Sequence, residues 1–341
     1  MWGIKLKILF IGGNGNISWY CVQKALESGH EVWELNREQS VFTRRKVQKE
    51  VHKVRGDIRK TEEIKALLEL SFFDIVCDFI CFDAVQAQQD IEIFRNKTKH
   101  FVFISSEAIY KRISSNIPYK EDSKKYSLDN CNCNYITGKL AAEQKFAEAY
   151  ISEKFPVTII RPAYTYDTIF PTSIGHNCFT AAKLILEGYP LLIAGDGNNL
   201  WTFTHSSDFA CAFIKLIENR DTIGESFHIS TEEWLTWNEQ SEIVLKALGS
   251  IKSGTFHVPF QDALQLNSIQ PQEMMFQRMW HNIYNINKVK EYVPNWSAHI
   301  SFEQGIAKTI QWLNEDTRFK RSVFDLEKEL IKIYRNYGVM K

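Results

Sequence analysis

Apolar and polar positions alternate in a regular rhythm along the first half of the chain. Lys7-Ile8-Leu9-Phe10-Ile11 is a short apolar run ending at glycines, the pattern of a buried strand. Ile17 to Ser28 carries apolar residues at helical spacing and stops at Gly29. Glu31 to Leu35 predicts a second strand and Lys53-Val54-Arg55 a weak third. Thr61 to Leu70 predicts a helix, with Thr61 as N-cap and Glu62-Glu63 in the first turn. Asp74 to Ile80 and His100 to Ser105 predict two more strands. Tyr135 to Lys154 is a long amphipathic helix, and Val157 to Ile160 is the strand after it. Strict alternation of the two periods implies a parallel sheet with helices on both faces.

The junction between the first strand and first helix reads Gly12-Gly13-Asn14-Gly15-Asn16-Ile17-Ser18. Glycines there let the backbone turn sharply and approach a pyrophosphate, and the helix N-terminus adds free N–H groups. Ser18 stands where a third glycine is usual, small enough for close helix–strand packing. The expected fold is therefore α/β: a Rossmann-like doubly wound parallel sheet with a smaller, mixed C-terminal lobe. Residues 1–165 form the dinucleotide-binding domain. The segment 204–230 returns to it through a helix, Asp208 to Glu218, and a strand, Ser226 to Ser230. From Arg161 loops lengthen and aromatic residues cluster, so 166–203 and 231–315 are assigned to a substrate-binding lobe. Residues 316–341 form a helical tail. After the second strand stand Asn36 and Arg37. An acid at that point would bind the adenine-ribose hydroxyls and repel a 2′-phosphate. An amide beside a guanidinium tilts the NAD(P) choice toward NADP over NAD.

Composition narrows the classes. Lys plus Arg equals Asp plus Glu at 41 each, so the net charge is zero and nothing points to nucleic acid or an anionic membrane. The run Arg44-Arg45-Lys46 reads as solvated surface. Seven scattered cysteines without a CxxC pair argue against both a disulfide framework and zinc, so no metal is expected. No apolar run is long enough to span a bilayer, and the N-terminal one leads straight into the glycine loop rather than to a cleavage site. A cytoplasmic protein is the resulting expectation.

The candidate reacting centre is Tyr135-Ile136-Thr137-Gly138-Lys139. Positions i and i+4 share one helix face, and an ammonium near a phenol favours the phenolate. Tyr135 then serves as general acid/base for a hydroxyl or carbonyl, and Lys139 also reaches the nicotinamide ribose. Tyr-x-x-x-Lys occurs five times in the chain, and context selects this one. It opens the long helix after a strand ending in Ser105-Ser106, where ligands bind in open parallel sheets.

These stretches, with Gly56-Asp57-Ile58, Phe103 to Ser106, Arg161-Pro162 and Gly195-Asp196-Gly197 to His205 and Asp208, resemble the extended short-chain dehydrogenase/reductase superfamily, NAD-dependent epimerase/dehydratase group. The resemblance implies adenine contacts from Asp57 and Ile58 and a cofactor wall including Phe79. It further implies Ser106 on the reacting oxygen, with Tyr135 and Lys139 as the catalytic pair. Two departures stand out. Ala108 replaces the glutamate base of dehydratases and decarboxylases, although Glu107 precedes it as a substrate-side candidate at the cleft rim. Trp201 stands where nucleotide-sugar enzymes carry a phosphate-binding arginine. It either stacks on a sugar ring or is an ordinary core aromatic. Asp208 is expected to cap the helix that follows it, and Met274-Met275-Phe276 with Trp280 to pack the small lobe. The expected activity is epimerisation or redox at a secondary hydroxyl or ketone of a sugar-like, possibly nucleotide-linked, small molecule. The alternatives are a non-catalytic dinucleotide sensor or scaffold and an RNA-binding relative. The resemblance also implies a homodimer through the Tyr135 helix.

Overall fold

The apolar runs of the N-terminal half assemble into one sheet. The computed structural model describes residues 5–37, 45–46, 48–60, 64, 72–175, 178–269 and 274–339. Its main strands are β1 (Lys7–Ile11), β2 (Glu31–Asn36), β3 (His52–Arg55), β4 (Phe73–Asp78), β5 (Thr98–Ile104), β6 (Val157–Pro162) and β7 (Ser226–Ile229). They lie in the order β7-β6-β5-β4-β1-β2-β3, every neighbouring pair parallel. Strand order reverses between β1 and β4, which places a ligand crevice at their C-terminal ends.

Helices α1 (Ser18–Glu27) and α4 (Ser206–Glu218) cover one face of the sheet, and α2 (Ala84–Phe94) and α3 (Asn134–Glu153) the other. Within β1, Ile8 and Phe10 pack with Val22, Phe209 and Phe213. Leu9 and Ile11 pack with Ala87, Ile91 and Phe146. A strand buried on both faces has no polar side, which is why β1 reads as a continuous apolar run. The expected helix over Thr61 to Leu70 lies outside the described residues apart from Ile64.

A second lobe has its own aromatic core, including Trp201, Phe203, Trp237 and Phe302. Asp208, expected as a helix cap, does something else. The cap of α4 is His205, whose Nδ1 accepts the Ser207 N–H. Asp208 sits in the first turn, and its carboxylate accepts the N–H groups of His299 and Ile300, tying the second lobe to the sheet domain. The tail forms a helix over Phe324–Asn336. Its residues Leu326, Leu330, Ile333 and Tyr334 are buried against Leu184, Leu192, Val258 and Leu266. That spacing is one helical stripe, and the tail belongs to the lobe's packing. No helix among the described residues is long and apolar enough to cross a membrane.

Candidate functional site

A cleft of about 520 Å³ opens at the sheet's switch point. Its floor is the loop after β1. Gly12 adopts φ +77°, and a Cβ there would meet Ile80 Cγ2 at 2.7 Å. Ser18 closes the loop: its Oγ accepts the Gly15 N–H at 2.8 Å and donates to the Gly12 carbonyl at 2.7 Å. A side chain at the third glycine position thus staples the turn that glycine would only permit. Helix α1 starts without a side-chain cap and with no acid in its first turn, an N-terminus suited to an anion, although the Trp19 N–H is taken by the Gly15 carbonyl. Gly12, Gly15, Asn16, Ile17 and Phe79 line the cleft. Gly13 does not; it packs on Glu34, whose Oε1 would lie 2.7 Å from a Cβ there.

Glu34 itself was not foreseen as part of the site. It is 1% exposed beneath the loop. Asn36 donates to it at 3.2 Å, and Asn14 does so at 3.2 and 3.3 Å in the amide orientation that satisfies both ends. Burial pushes its carboxyl up to about 7, partly offset by Lys53 and Asn36. The stability carried by this proton is full below the ordinary 4.5 and is lost as pH rises through 7. Glu34→Gln should therefore melt several degrees above the parent at pH 8 and alongside it at pH 5. Melting curves that differ equally at both values would exclude the effect.

Asn36 is half-buried, its amide engaged by Glu34, and Arg37 is exposed. Asp57 accepts the Arg59 N–H, and Ile58 is packed in the core beside Leu9 and Leu35. Neither lines the cleft.

The reacting end is built by β5 and α3. Ser106 ends the run after β5, and its Oγ accepts the Ala108 N–H at 3.2 Å, which fixes the oxygen at the cleft wall. Ser105 lines the same wall; its buried Oγ has no partner. Tyr135 and Lys139 lie one turn apart on α3, and both face the cleft. Tyr135 is 41% exposed, whereas Lys139 is 2% exposed. The lysine Nζ donates to the carbonyls of Cys81 and Ile104, each at 2.7 Å. Ile104 ends β5 and Cys81 lies in the loop after β4, so the C-terminal edge of the sheet aims the ammonium. Burial pulls its pKa down to about 8, partly opposed by Cys81, Asp78 and Glu143. Gly138 is required between them: a Cβ there would run into the Phe82 carbonyl oxygen.

One turn further along α3, buried Glu143 meets Arg161 in a two-point ion pair, both contacts 2.8 Å. Lys125 adds a third contact at 2.7 Å. Burial would raise the Glu143 carboxyl, but the two cations hold it at about 2. Arg161 also donates to the Tyr110 hydroxyl at 2.6 Å, bracing the turn that follows Ser106.

One expectation about the substrate side is corrected, and of the two readings of Trp201 the core one holds. Glu107 lines the cleft but is no solvent-facing rim residue. It is 5% exposed, and its carboxylate accepts from Arg112 and from the Tyr284 hydroxyl, each at 2.6 Å. Trp201 does not reach the cleft. It is 1% exposed in the second lobe, its ring 4.9 Å from that of Trp237 and its Nε1 donating to the Trp280 carbonyl. Met275 and Trp280, read as packing, are instead 47% and 39% exposed. Cys133, Tyr164, Ile169 and Gln277 also line the wall. Of the lining residues not foreseen, Ser105 and Pro162 left a trace in the sequence, in the Ser105-Ser106 doublet and the Arg161-Pro162 pair.

The NAD-dependent epimerase/dehydratase family model matches residues 8–230, well over half of the chain. The chain belongs to this family. Among family relatives, the chloroplast stem-loop binding protein of 41 kDa b of Arabidopsis thaliana is 23% identical over 253 residues, 71% of this chain and 63% of that one. The UDP-N-acetyl-alpha-D-glucosaminuronate decarboxylase of Bacillus cytotoxicus is 25% identical over 224 residues, 64% of each. The chain thus spans under two thirds of the length of these two relatives. Among solved structures, an epimerase from Methanothermobacter thermautotrophicus superposes with a TM-score of 0.77 at 18% identity, covering 93% of this chain and 95% of that one. A dTDP-glucose 4,6-dehydratase from Bacillus anthracis, in complex with NAD, gives 0.71 at 18% identity, covering 92% and 98%. At these identities the structures establish the fold, which is that of the family's epimerases and dehydratases.

Proposed function

We propose that this chain is an NAD(P)-dependent oxidoreductase or epimerase acting at a secondary hydroxyl or keto carbon of a sugar-like substrate. The carrying observation is that one cleft is lined by the glycine loop, Ser106, Tyr135 and a lysine pinned to two backbone carbonyls at the sheet's C-terminal edge. The residues fit a nicotinamide dinucleotide. The loop leaves a side-chain-free approach at Gly12 and Gly15, α1 offers uncapped N–H groups, and the Ser105 hydroxyl is an orphan donor in the wall. When bound, the nicotinamide would supply or accept the hydride at the substrate carbon.

Ser106 orients the reacting oxygen, its Oγ already held by the Ala108 N–H and its own proton left to donate. Tyr135 moves the proton at that oxygen, and the Lys139 ammonium stabilises the phenolate it leaves. Ala108 is apolar, so the wall carries no second base at that position. This supports redox or epimerisation over elimination.

Among the described residues lining the cleft, Lys139 is the one cation. Arg112 is engaged by Glu107, and buried Arg278 donates to the Thr172 carbonyl. Glu107 and Gln277 instead offer groups that suit hydroxyl or amino substituents of a ring. This supports a polyhydroxylated substrate over a sugar diphosphate. The NADP preference rests on Arg37 alone, since the Asn36 amide is engaged by Glu34.

The decisive test is extraction of any cofactor from the purified protein, followed by titration with NAD(H) and NADP(H). Retained NAD(H) supports epimerisation with the cofactor recycled in place. An empty protein that binds NADPH supports a reductase. Binding of neither dinucleotide sinks the reading.

A further inference from the structure

Asn16 occupies the fifth position of the glycine loop, yet its side chain turns away to the opposite wall of the cleft. Its amide nitrogen donates to the Thr165 carbonyl at 2.9 Å. Its amide oxygen accepts the N–H groups of Asp167 and Thr168, each at 3.0 Å. Both ends of one side chain are thereby used on three residues of the segment 165–168. This segment has cleft walls on each flank: Tyr164 and Thr165 before it, Ile169 after it.

A second strut reaches the same segment. Arg45, from the stretch after β2, meets the Asp167 carboxylate at two points, 2.8 and 2.6 Å. The guanidinium also lies over the rings of Trp19 and Tyr20 on α1. This corrects the reading of Arg45 as solvated surface. Asp167 is 1% exposed, so the pair is shielded from solvent. Two elements of the cofactor side are therefore bolted to one short segment of the substrate side.

We propose that Asn16 is a positioning residue that couples dinucleotide occupancy of the glycine loop to the geometry of the 164–169 substrate wall. The coupling rests on the reading of that loop as a dinucleotide site. Charge-neutral amide bonds of ordinary length transmit a displacement of the loop directly, because Asp167 and Thr168 have Asn16 as their amide acceptor. A binding event that orders the loop then orders the wall through Asn16.

Amide hydrogen exchange of the intact protein reads this directly. Saturating NADH, with NADPH in parallel, should slow exchange in peptides covering 12–18 and also in those covering 163–169, each about tenfold. In Asn16→Ala the first response should persist and the second should vanish. A purely structural loss would raise exchange at 163–169 equally with and without dinucleotide, so the response to ligand is the readout. Two results overturn the proposal: a 163–169 response that survives in Asn16→Ala, or no such response in the parent while 12–18 is protected. If neither dinucleotide protects 12–18 in the parent, the proposed function falls together with the coupling.

Discussion

Lys139→Met should cost at least about a thousandfold in turnover while leaving the melting temperature close to that of the parent. The two halves of this expectation have separate causes. The turnover loss follows from the proposed role of Lys139, because it removes the cation that would stabilise a Tyr135 phenolate. The small stability change follows from the lysine's position. Its folded pKa of about 8 lies below the ordinary 10.5, so folding disfavours its charged form. The stability tied to this group is full above pH 10.5 and is lost as pH falls through 8. At pH 7 the buried ammonium is therefore a burden that methionine removes. Against that gain stand two carbonyls, of Cys81 and Ile104, that lose their donor. Each is worth about 1 kcal/mol, so the terms largely cancel. Tyr135→Phe should fall by a similar factor in turnover with dinucleotide binding preserved. Absorbance of the reduced nicotinamide, followed with a substrate the parent accepts, and thermal melts of the same samples check both. A variant that retains a tenth of the activity would remove Lys139 from the chemistry, and one that melts far lower would overturn the stability half alone.

Sequence pattern carried the sheet domain well because its rules are local. The glycine loop sits between a 2-period and a 3.6-period segment, and Tyr135 and Lys139 are one helical turn apart whatever the tertiary fold. Residues whose roles depend on the far side of the cleft were not legible. Trp201 is one of nine tryptophans, and nothing in Leu200-Trp201-Thr202 tells a core indole from a stacking one. What decides is Trp237, thirty-six positions away, packed against it. Glu107 could be placed next to Ser106, but its partners Arg112 and Tyr284 fix its contacts, and Tyr284 comes from the second lobe. Asn16 shows the reverse limit. Its position in the loop was legible as a cofactor contact, while its hydrogen bonds to residues 165–168 were not, because no local rule links positions 149 to 152 apart in sequence. Glu34 alternates correctly as an inward residue of β2, but an acid at an inward position reads as an exception until the glycine loop is seen lying over it.

The largest expected effect on stability comes from the same helix as Tyr135 and Lys139. Arg161→Leu should destabilise the fold by about 3–5 kcal/mol, because it leaves the Glu143 carboxylate buried without its main partner. Glu143 is 4% exposed and Arg161 2% exposed, so water cannot replace either. The lowered Glu143 pKa, about 2, shows how strongly the site favours the charged form only while the cations are present. Glu143→Leu should be damaging for the mirror reason, softened by the Tyr110 hydroxyl and Glu121 carbonyl that Arg161 retains. The double variant should be less unstable than the sum of the two, since no uncompensated charge remains. Denaturant unfolding of all four proteins gives the coupling. Additive losses would mean that the pair contributes by packing alone. The consequence for the site is specific. Glu143 and Lys139 are one turn apart on α3, and Arg161 braces Tyr110 just after the Ser106 turn. The single variants should lose turnover even at temperatures where they remain folded, because the ion pair holds the helix and the serine turn against each other. Turnover that tracks only the folded fraction would show that the pair stabilises the domain without aligning its chemistry.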